Sequence, residues 1–372
     1  MKQAICPLCG AKMKRNGFTS KGTQRWRCKG CGSSSVHKHN NDAKELQKFL
    51  DWLLSRDKQI DMAGQGRTFR RKIARFWSIW PMPSVVDEVH RVIYVDGIYL
   101  SRNVVVLIAC SDSHVLSWYL ARSENSHAWT ALLANIAPPD MVVTDGGSGL
   151  AKALKKTWPH TKVQRCTFHA FCQVRRCTTT RPRLLAGKEL YMLAKELLHA
   201  KTLRQADLWV EHFMQWCEFW ADFLAQTSFV EGKKVYTHER LRQARRALVT
   251  LINQGTLFTY LDPELSAEGS MPAMNNRIEG GINAQLRALL RDHRGMSTMR
   301  RIKAVYWWCY MHTECPLSAS EILKSMPTDE DIDFLYDQYA PVPNKGNKPV
   351  EWGDGLVWSE LHHSTPYPYS AD

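Results

Sequence analysis

Four cysteines near the start of the chain have the spacing of a metal site. They form two C-x-x-C pairs, Cys6 with Cys9 and Cys28 with Cys31, separated by eighteen residues. Two residues between cysteines let a tight turn aim both sulfurs at one tetrahedral ion, and a short hairpin brings the second pair opposite the first. The spacing predicts one structural Zn²⁺ ion held by four thiolates. Two disulfides are the alternative.

Three carboxylates have the types and positions for a second kind of metal chemistry. Asp96 follows the apolar run 92–95, Asp145 follows the run 141–144, and Glu279 opens a late basic helical stretch. Carboxylates that converge from separate elements can hold two Mg²⁺ ions, which activate the attacking oxygen and stabilise the leaving oxygen in phosphodiester cleavage. We expect these three acids to bind two Mg²⁺ ions, with Mn²⁺ as a possible substitute.

Each of these acids also has an ordinary interpretation, as a strand-end, turn or helix-start carboxylate. Other acids compete for the same roles, although no rival for the first two places combines a strand end with the right order. The rivals for the first two places are Asp112, Glu124 and Asp140. The rivals for the third place are Asp262, Glu264 and Glu268.

The elements that must position the first two acids follow from the hydrophobic pattern. Short apolar runs and capped amphipathic segments predict the order β-β-β-α-β-α-β. The predicted strands cover 92–95, 103–110, 115–120, 141–144 and 162–165, and the predicted helices, the first capped by Ser126, reach 136 and cover 148–158. In this order the fourth strand lies beside the first, so Asp96 and Asp145 meet at one end of the sheet. The order is that of a ribonuclease-H-like core in an α/β protein.

Two helices are predicted between the cysteines and this core. Asp42 is expected to cap a helix from 43 to about 56, and Thr68 to cap a second helix that reaches about Trp80. The second helix is crowded with basic residues, namely Arg67, Arg70, Arg71, Lys72 and Arg75. A helix, a break and a basic helix favour a helix-turn-helix DNA-binding unit. A basic linker is the alternative.

The rest of the chain divides into a helical insertion, a returning stretch and a tail. Residues from 184 to about 261 are predicted to be wholly helical, and Trp209, Trp216 and Trp220 have the spacing of core residues in the second helix. A stretch from 280 to about 310 follows, broken at Gly295. The tail holds ten acidic and three basic residues over 316–372. We expect it to be irregular, and partly docked through Trp352 and Trp358.

Composition points to a polyanionic partner. The 372 residues carry a net charge of +14, which the acidic tail partly conceals, and residues 1–39 hold nine Lys or Arg and no acid. Such a surplus of positive charge is what binding to nucleic acid requires. No apolar run approaches the length of a membrane helix, and no apolar signal segment opens the chain. With eleven cysteines mostly scattered, a reducing cytoplasm is the expected location, and no membrane partner is expected.

Four motifs together resemble the DDE transposases of bacterial insertion sequences, and the Mutator-like group in particular. Tyr94-Val95-Asp96-Gly97 and Val143-Thr144-Asp145-Gly146 resemble the two Asp motifs. Asn276-Arg277-Ile278-Glu279-Gly280 resembles the Glu motif, and Arg165-Cys166-Thr167-Phe168-His169 resembles the C-x-x-H segment of that group. An N-terminal zinc ribbon also occurs in some of its branches. The resemblance covers roughly residues 1–315, and the acidic tail matches no motif of the family.

The resemblance implies a transposase that binds the terminal inverted repeats of its element, cleaves DNA at the ends and joins the 3′-OH to target DNA. It implies double-stranded DNA as the partner and a homodimer or larger assembly on DNA near the nucleoid. It places His169 near the active site. By their spacing, Cys166 and His169 could instead share a metal, with Cys172 or Cys177 as conceivable partners, or form a packed structural pair. It also suggests that one tryptophan of the insertion stacks on an extruded base.

These inferences divide the chain into six segments and assign its DNA contacts. The segments are a zinc ribbon at 1–40, a helical DNA-binding domain at 41–85, the first part of the core at 86–180, the insertion at 181–270, the last core helices at 271–315 and the tail at 316–372. The expected DNA contacts are Arg25, Arg27, Arg67, Arg70, Arg71, Lys72, Arg75, Arg277 and Arg287. A Mg²⁺-dependent nuclease or resolvase without strand transfer and a domesticated DNA-binding regulator are the alternatives.

Overall fold

The N-terminal cysteines belong to a small antiparallel sheet. The computed structural model describes residues 4–6, 8–36 and 41–339. Strands β1 (Met13–Phe18), β2 (Gln24–Cys28) and β3 (Ser34–Val36) are hydrogen-bonded in the order β1-β2-β3. The hairpin that the cysteine spacing requires is therefore present.

Two helices connect this sheet to the rest of the molecule. They are α1 (Asp42–Leu54) and α2 (Arg67–Ile73), and 3₁₀ turns follow each of them at Gln59–Asp61 and Ala74–Ser78. The second helix is shorter than predicted and continues as 3₁₀ turn, because Phe76 and Trp77 are buried against α1 rather than carried along a single helical face. The predicted cap is also wrong: Asp42 is the first residue of α1, and its carboxylate pairs with Arg75 at 2.6 Å.

A mixed five-stranded sheet forms the centre of the molecule. Its strands and intervening helices are β4 (Val92–Ser101), β5 (Val104–Cys110), β6 (Val115–Ala121), α3 (Ser126–Leu133), β7 (Met141–Thr144), α4 (Ser148–Thr157) and β8 (Lys162–Arg165). The strand order is β6-β5-β4-β7-β8. β4 pairs antiparallel with β5 and parallel with β7, and β7 pairs parallel with β8. The predicted order of elements and the neighbouring placement of the first and fourth strands are confirmed.

Two local predictions in this region are wrong. β4 does not end at Asp96 but runs on to Ser101, because Ile98 and Leu100 are buried and the strand turns back into β5 at its far end. Helix α3 is capped by Asn125 rather than Ser126, since the Asn125 side chain accepts hydrogen bonds from the backbone N–H groups of His127 and Ala128.

A largely helical segment follows the sheet. Its elements are α5 (Thr167–Thr178), α6 (Leu185–Glu196), α7 (Leu203–Phe219), α8 (Ala221–Ala225), β9 (Thr227–Val230), β10 (Lys233–Tyr236), α9 (Glu239–Asn253) and α10 (Pro263–Ser266). The prediction of an all-α insertion is wrong, because β9 and β10 form an antiparallel hairpin. Glu231 and Gly232, both at positive φ, make the two-residue turn that this hairpin requires.

The final elements return to the sheet and extend beyond it. A π-helix (Arg277–Asn283) leads into α11 (Ala284–Asp292), and α12 (Thr298–Met311), α13 (Ala319–Ser325) and α14 (Asp329–Tyr339) follow. Glu279 therefore lies inside a helix rather than opening one. The expected irregular tail is wrong for 319–339, where a capping box at Ser318 and Glu321 begins α13. Trp352 and Trp358 lie outside the described residues.

Apolar side chains cover both faces of the sheet. One face packs on α3 and α4, and the other packs on the π-helix, α11 and α12 together with α1. Phe49 of α1, for example, lies with its ring centroid 6.1 Å from that of Trp307 in α12. No helix among the described residues is long and apolar enough to span a bilayer.

Candidate active site

Strand pairing brings the two aspartates together. Tyr94 of β4 is the partner of Val143 of β7 in a parallel register, so two residues further on Asp96 and Asp145 stand side by side. Neighbouring strands lie about 4.8 Å apart. Asp96 lies two residues from Tyr94 and from Ile98, so its side chain is on the same face of β4 as theirs, which faces the π-helix and α12. Both carboxylates therefore lie on the face of the sheet that packs against the π-helix and α12.

The environment of Asp96 makes its charged form costly. Burial raises the pKa of Asp96 to about 7, and the carboxylates of Asp145, Glu279 and Glu124 add to the rise. One oxygen accepts a hydrogen bond from the Gly97 backbone N–H at 2.8 Å, and the other accepts one from Asn283 Nδ2 at 2.7 Å. Several acids clustered around one buried carboxylate are an arrangement that a bound cation would stabilise.

Asp145 is positioned by a tight turn at the end of β7. Its Oδ1 accepts a hydrogen bond from the Gly147 backbone N–H at 3.2 Å. Gly146 has φ +90°, and a Cβ there would collide with the Arg165 guanidinium. The turn therefore needs glycine at 146. The hydrogen bond from Gly147 uses Oδ1 of Asp145 and does not involve Oδ2.

Glu279 reaches the site from the π-helix. Two asparagines tie that helix to β4: Asn283 bonds Asp96, and Asn275 Nδ2 donates to the Val95 carbonyl at 3.3 Å. Ile278 and Ile282 are buried against the sheet, which fixes the side of the helix that faces it. The Asp96 carboxylate interacts electrostatically with those of Asp145 and Glu279, and we call these three acids the acidic cluster.

His169 lies directly beside Glu279. Its Nδ1 is 3.0 Å from Glu279 Oε1, in a geometry that makes no hydrogen bond. Cys166 and Glu279 beside the ring raise the pKa of His169 to about 10. Cys166, His169 and Glu279 have ligand atoms within 4.8 Å of one another. Glu279, rather than Cys172 or Cys177, is the third member of this group.

Glu124 is a site residue that sequence reasoning set aside. Its carboxylate lies over Gly97, where an added Cβ would be 2.6 Å from Glu124 Oε1. Burial and the nearby Asp145 raise the pKa of Glu124. Glu124 precedes α3 rather than ending a strand, which is why its position gave no signal. The glycine after Asp96 is the feature that could have indicated it.

The other rival acids have structural roles or lie elsewhere. Asp112 accepts a hydrogen bond from the Tyr94 hydroxyl at 2.8 Å, and Asp140 precedes β7 at the end opposite Asp145. Asp262 caps α10, the short helix that contains Glu264, and pairs with Lys162 at 3.5 Å. Glu268 lies 3.9 Å from Arg91.

Basic residues form a groove next to Asp96. Arg287, Arg291 and Arg301 line a groove of about 430 Å³ whose floor includes Gly97 and Tyr99. Arg287 was predicted as a DNA contact, and its exposed position here suits that role. Arg277 differs, since its guanidinium donates to the Ser113 carbonyl at 3.0 Å and so joins the π-helix to the β5–β6 connection.

The N-terminal cysteines form one cluster. The ligand sulfurs of Cys6, Cys9, Cys28 and Cys31 all lie within 4.8 Å of one another. The sulfurs of Cys6 and Cys31 are 3.6 Å apart and those of Cys9 and Cys28 are 3.4 Å apart, so no disulfide joins them. The cluster has the ligands of a tetrahedral Zn²⁺ site.

The remaining predicted DNA contacts lie on the surface. Arg25 and Arg27 are exposed on one face of β2, and the basic residues of α2 are exposed as well. Lys72 and Arg75 make ion pairs with Glu45 of α1 at 3.6 and 2.6 Å, so part of this charge serves to join the two helices.

The tryptophans of the insertion belong mainly to its core. Trp209 and Trp216 are buried, and their indole nitrogens donate to the carbonyls of Leu193 and Ala186. Trp220 is half-buried and donates to Glu189 at 2.7 Å. In this structure neither Trp209 nor Trp216 offers a ring face to an extruded base, so the stacking interpretation is not supported for them.

Comparison with known proteins adds one finding. Residues 85–236 match the model of a family described as Transposase, Mutator family. The matched segment contains Asp96, Glu124, Asp145 and His169 and ends before Glu279. No curated protein gives a significant match to the chain.

Proposed function

We propose, from the match of residues 85–236 to the Mutator transposase family, that the chain cleaves DNA at the ends of a mobile element and joins the freed 3′-OH to target DNA. The observation that carries the proposal is the electrostatic interaction of the buried Asp96 carboxylate with Asp145 and Glu279, next to the parallel pair of β4 and β7. The strand order β6-β5-β4-β7-β8 supports a ribonuclease-H-like core for this segment.

The residues present suit divalent metal ions with hard oxygen ligands. Asp96, Asp145 and Glu279 would hold two Mg²⁺ ions, and Glu124 is placed to contribute a fourth carboxylate. Bound there, the ions would activate the attacking oxygen and stabilise the leaving oxygen in both cleavage and strand transfer. Asn283 and the Gly97 amide hold the Asp96 carboxylate in position, and His169 orients Glu279.

The DNA would lie along the basic surface next to these acids. Arg287, Arg291 and Arg301 line the groove beside Asp96, where they can neutralise phosphates without reading bases. The four-cysteine module, with a bound Zn²⁺ ion and exposed Arg25 and Arg27, is proposed to bind the terminal inverted repeats. Helices α1 and α2 would extend that contact. Two ends must meet in one reaction, so a dimer or larger assembly on DNA is implied.

The test combines purified protein, Mg²⁺ and a labelled DNA duplex that ends in the inverted repeat bordering the gene. Joined products support the transposase, cleavage without joining supports the nuclease, and binding without cleavage supports the regulator. Asp96→Asn, Asp145→Asn and Glu279→Gln should each abolish cleavage while leaving DNA binding intact. Asp140→Asn, outside the cluster, is the matched control. Normal cleavage by any one of the three variants would overturn the site.

A further inference from the structure

A second kind of metal site lies against the acidic cluster. We propose that Cys166, His169 and Glu279 bind one Zn²⁺ ion, and that this ion weakens Mg²⁺ binding by Glu279 at the proposed magnesium site. The inhibition by zinc rests on the proposed function, because it requires a Mg²⁺-dependent reaction at Glu279. The binding itself is a property of these three side chains.

Two elements bring the three ligands together. Cys166 stands at the start of α5 and His169 one turn further along the same helix, so both side chains face the same way. Glu279 comes from the π-helix, 110 residues further along the chain. The two elements are joined by the Thr167 backbone N–H, which donates to the Ala273 carbonyl at 3.0 Å, and by the Asn275 N–H, which donates to Cys166 Sγ at 3.2 Å.

The separations suit a tetrahedral zinc ion. All three ligand atoms lie within 4.8 Å of one another, and His169 Nδ1 is 3.0 Å from Glu279 Oε1. Two nitrogen or oxygen ligands of one zinc ion stand roughly 3.3 Å apart when each bond is about 2.05 Å. The separation of His169 Nδ1 and Glu279 Oε1 is therefore within a few tenths of an ångström of that of two zinc ligands, and a fourth position is left for water.

The polar atoms of this group lack other partners in the described part of the chain. His169 Nδ1 and Glu279 Oε1 are buried and face each other at 3.0 Å, and neither makes a well-aligned hydrogen bond there. A metal ion between them would satisfy both atoms at once. A thiolate and an imidazole favour zinc over magnesium, which takes oxygen ligands.

Sharing of Glu279 makes the two metal sites competitive. A carboxylate that shares its negative charge with zinc beside Cys166 binds a Mg²⁺ ion beside Asp96 and Asp145 less strongly. The Cys166 site would then act as an inhibitory input, so that a rise in free zinc stops the Mg²⁺-dependent reaction. Removal of zinc by a chelator would restore it.

The binding experiment counts zinc ions per chain in the full-length protein after dialysis, by atomic emission. Cys166→Ser and His169→Gln should each hold one zinc ion fewer than the wild type. Cys172→Ser, a thiol on the same helix but outside the group, should hold the same number as the wild type. Zinc in the N-terminal cluster is the same in all these proteins, so it cancels when the zinc content of a variant is subtracted from that of the wild type. Equal zinc content in the wild type and both ligand variants would overturn the site.

The inhibition experiment adds zinc to the Mg²⁺-dependent cleavage assay. In protein from which this zinc ion has first been removed by a chelator, one equivalent of zinc added back should slow cleavage by the wild type and by Cys172→Ser about tenfold or more, a loss typical of disturbed metal sites. The ratio of rates with and without zinc should approach one in Cys166→Ser. Zinc binding at Cys166 without inhibition would refute the competition but not the site. A protein that cuts no DNA at all would instead refute the proposed function, and the zinc count would still be decisive.

Discussion

Asp96 is positioned to bind metal, but its buried carboxylate destabilises the folded protein when no metal is bound. Its side chain is enclosed by β5, the π-helix and three other carboxylates, and only two hydrogen bonds compensate for the water it has lost. The folded chain therefore disfavours the charge that metal binding requires. Without metal, we expect this single group to lower the free energy of unfolding at neutral pH.

The first prediction concerns Asp96→Asn in metal-free protein. The folded-state pKa lies above the unfolded value, so the wild type loses stability as pH rises from about 4 to about 7, whereas the variant does not. The variant should be the more stable protein at pH 8, by at most about 4 kcal/mol. Urea unfolding at pH 5 and pH 8 measures the difference. A gap that does not widen between the two pH values would contradict this account.

Gly97 tests the placement of Glu124. A methyl group at 97 would lie 2.6 Å from Glu124 Oε1 and 3.1 Å from Val105 Cγ2, so Gly97→Ala should push the carboxylate away from the acidic cluster. We expect a loss of cleavage of about 10- to 100-fold, with DNA binding retained.

Glu124→Gln is the matched comparison and should reduce cleavage to a similar extent. If Gly97→Ala were impaired while Glu124→Gln cleaved normally, distortion of β4 would be the cause, and Glu124 would have no part in the reaction.

At the scale of elements, the π-helix decides how Glu279 meets the sheet. A π-helix holds more residues per turn than an α-helix and occurs often at functional sites. Here it lets Glu279 approach His169 while Asn283, four residues later, bonds Asp96. Ile278 and Ile282 fill the sheet face between them. Residues four positions apart lie on the same face of a helix, so Glu279 and Asn283 are both directed toward the site.

Deletion of Gly280 is the corresponding prediction. Removal of one residue turns the residues after it by about 100° relative to those before it when the helix type is kept, so Asn283 is displaced relative to Glu279. Cleavage should be lost while thermal unfolding remains cooperative.

Gly280→Ala is the control for this deletion. An added Cβ at 280 meets nothing within 4 Å, so this variant should cleave normally and gain up to about 1 kcal/mol of stability from helix propensity. A deletion variant that cleaved at the wild-type rate would show that the π-helix has no role in positioning.

At the scale of the molecule, one buried ion pair adds to the apolar packing of Ile322 and Ile332 that holds the C-terminal helices on the core. Lys303 of α12 is fully buried, donates to the Trp77 carbonyl at 2.6 Å and pairs with Asp329 at the start of α14. The Trp80 indole N–H donates to the same Asp329 carboxylate at 2.7 Å. Segments near 80, 303 and 329 are thereby joined at one point.

Asp329→Ala should therefore be strongly destabilising. It leaves the Lys303 ammonium buried without its counter-charge, which costs about 3–5 kcal/mol. Chemical denaturation measures this loss, and Glu330→Ala, an exposed acid on the same helix, should change stability by less than about 0.5 kcal/mol. A small effect for Asp329→Ala would mean that water or another acid satisfies Lys303.

The N-terminal cluster has the opposite relation to the core, because its hydrophobic contacts are its own. Cys28→Ser should abolish binding to the terminal repeat in a mobility-shift assay while the thermal unfolding of the rest of the chain is unchanged. Cys315→Ser removes an exposed thiol elsewhere and should alter neither measurement. Unchanged end binding by Cys28→Ser would make the cluster a structural or protein-contact module instead.

The sequence by itself was sufficient for features that depend on neighbours along the chain. The C-x-x-C pairs and the strand and helix order of the sheet follow from local spacing and hydrophobic period. That order, as the order of a known fold class, in turn suggested the pairing that sets Asp96 beside Asp145. The family resemblance was readable for the same reason, since its motifs are short and contiguous.

Other features depended on contacts between distant segments, and only the tertiary structure decided them. The extension of β4 past Asp96 depends on its pairing with β5, and the hairpin after α8 lies within a mostly helical segment. The approach of Glu124 to Gly97, and of Glu279 to Cys166 and His169, joins residues between 27 and 113 positions apart. Local propensity carries no information on such distances, because packing across the sheet determines which side chains finally meet.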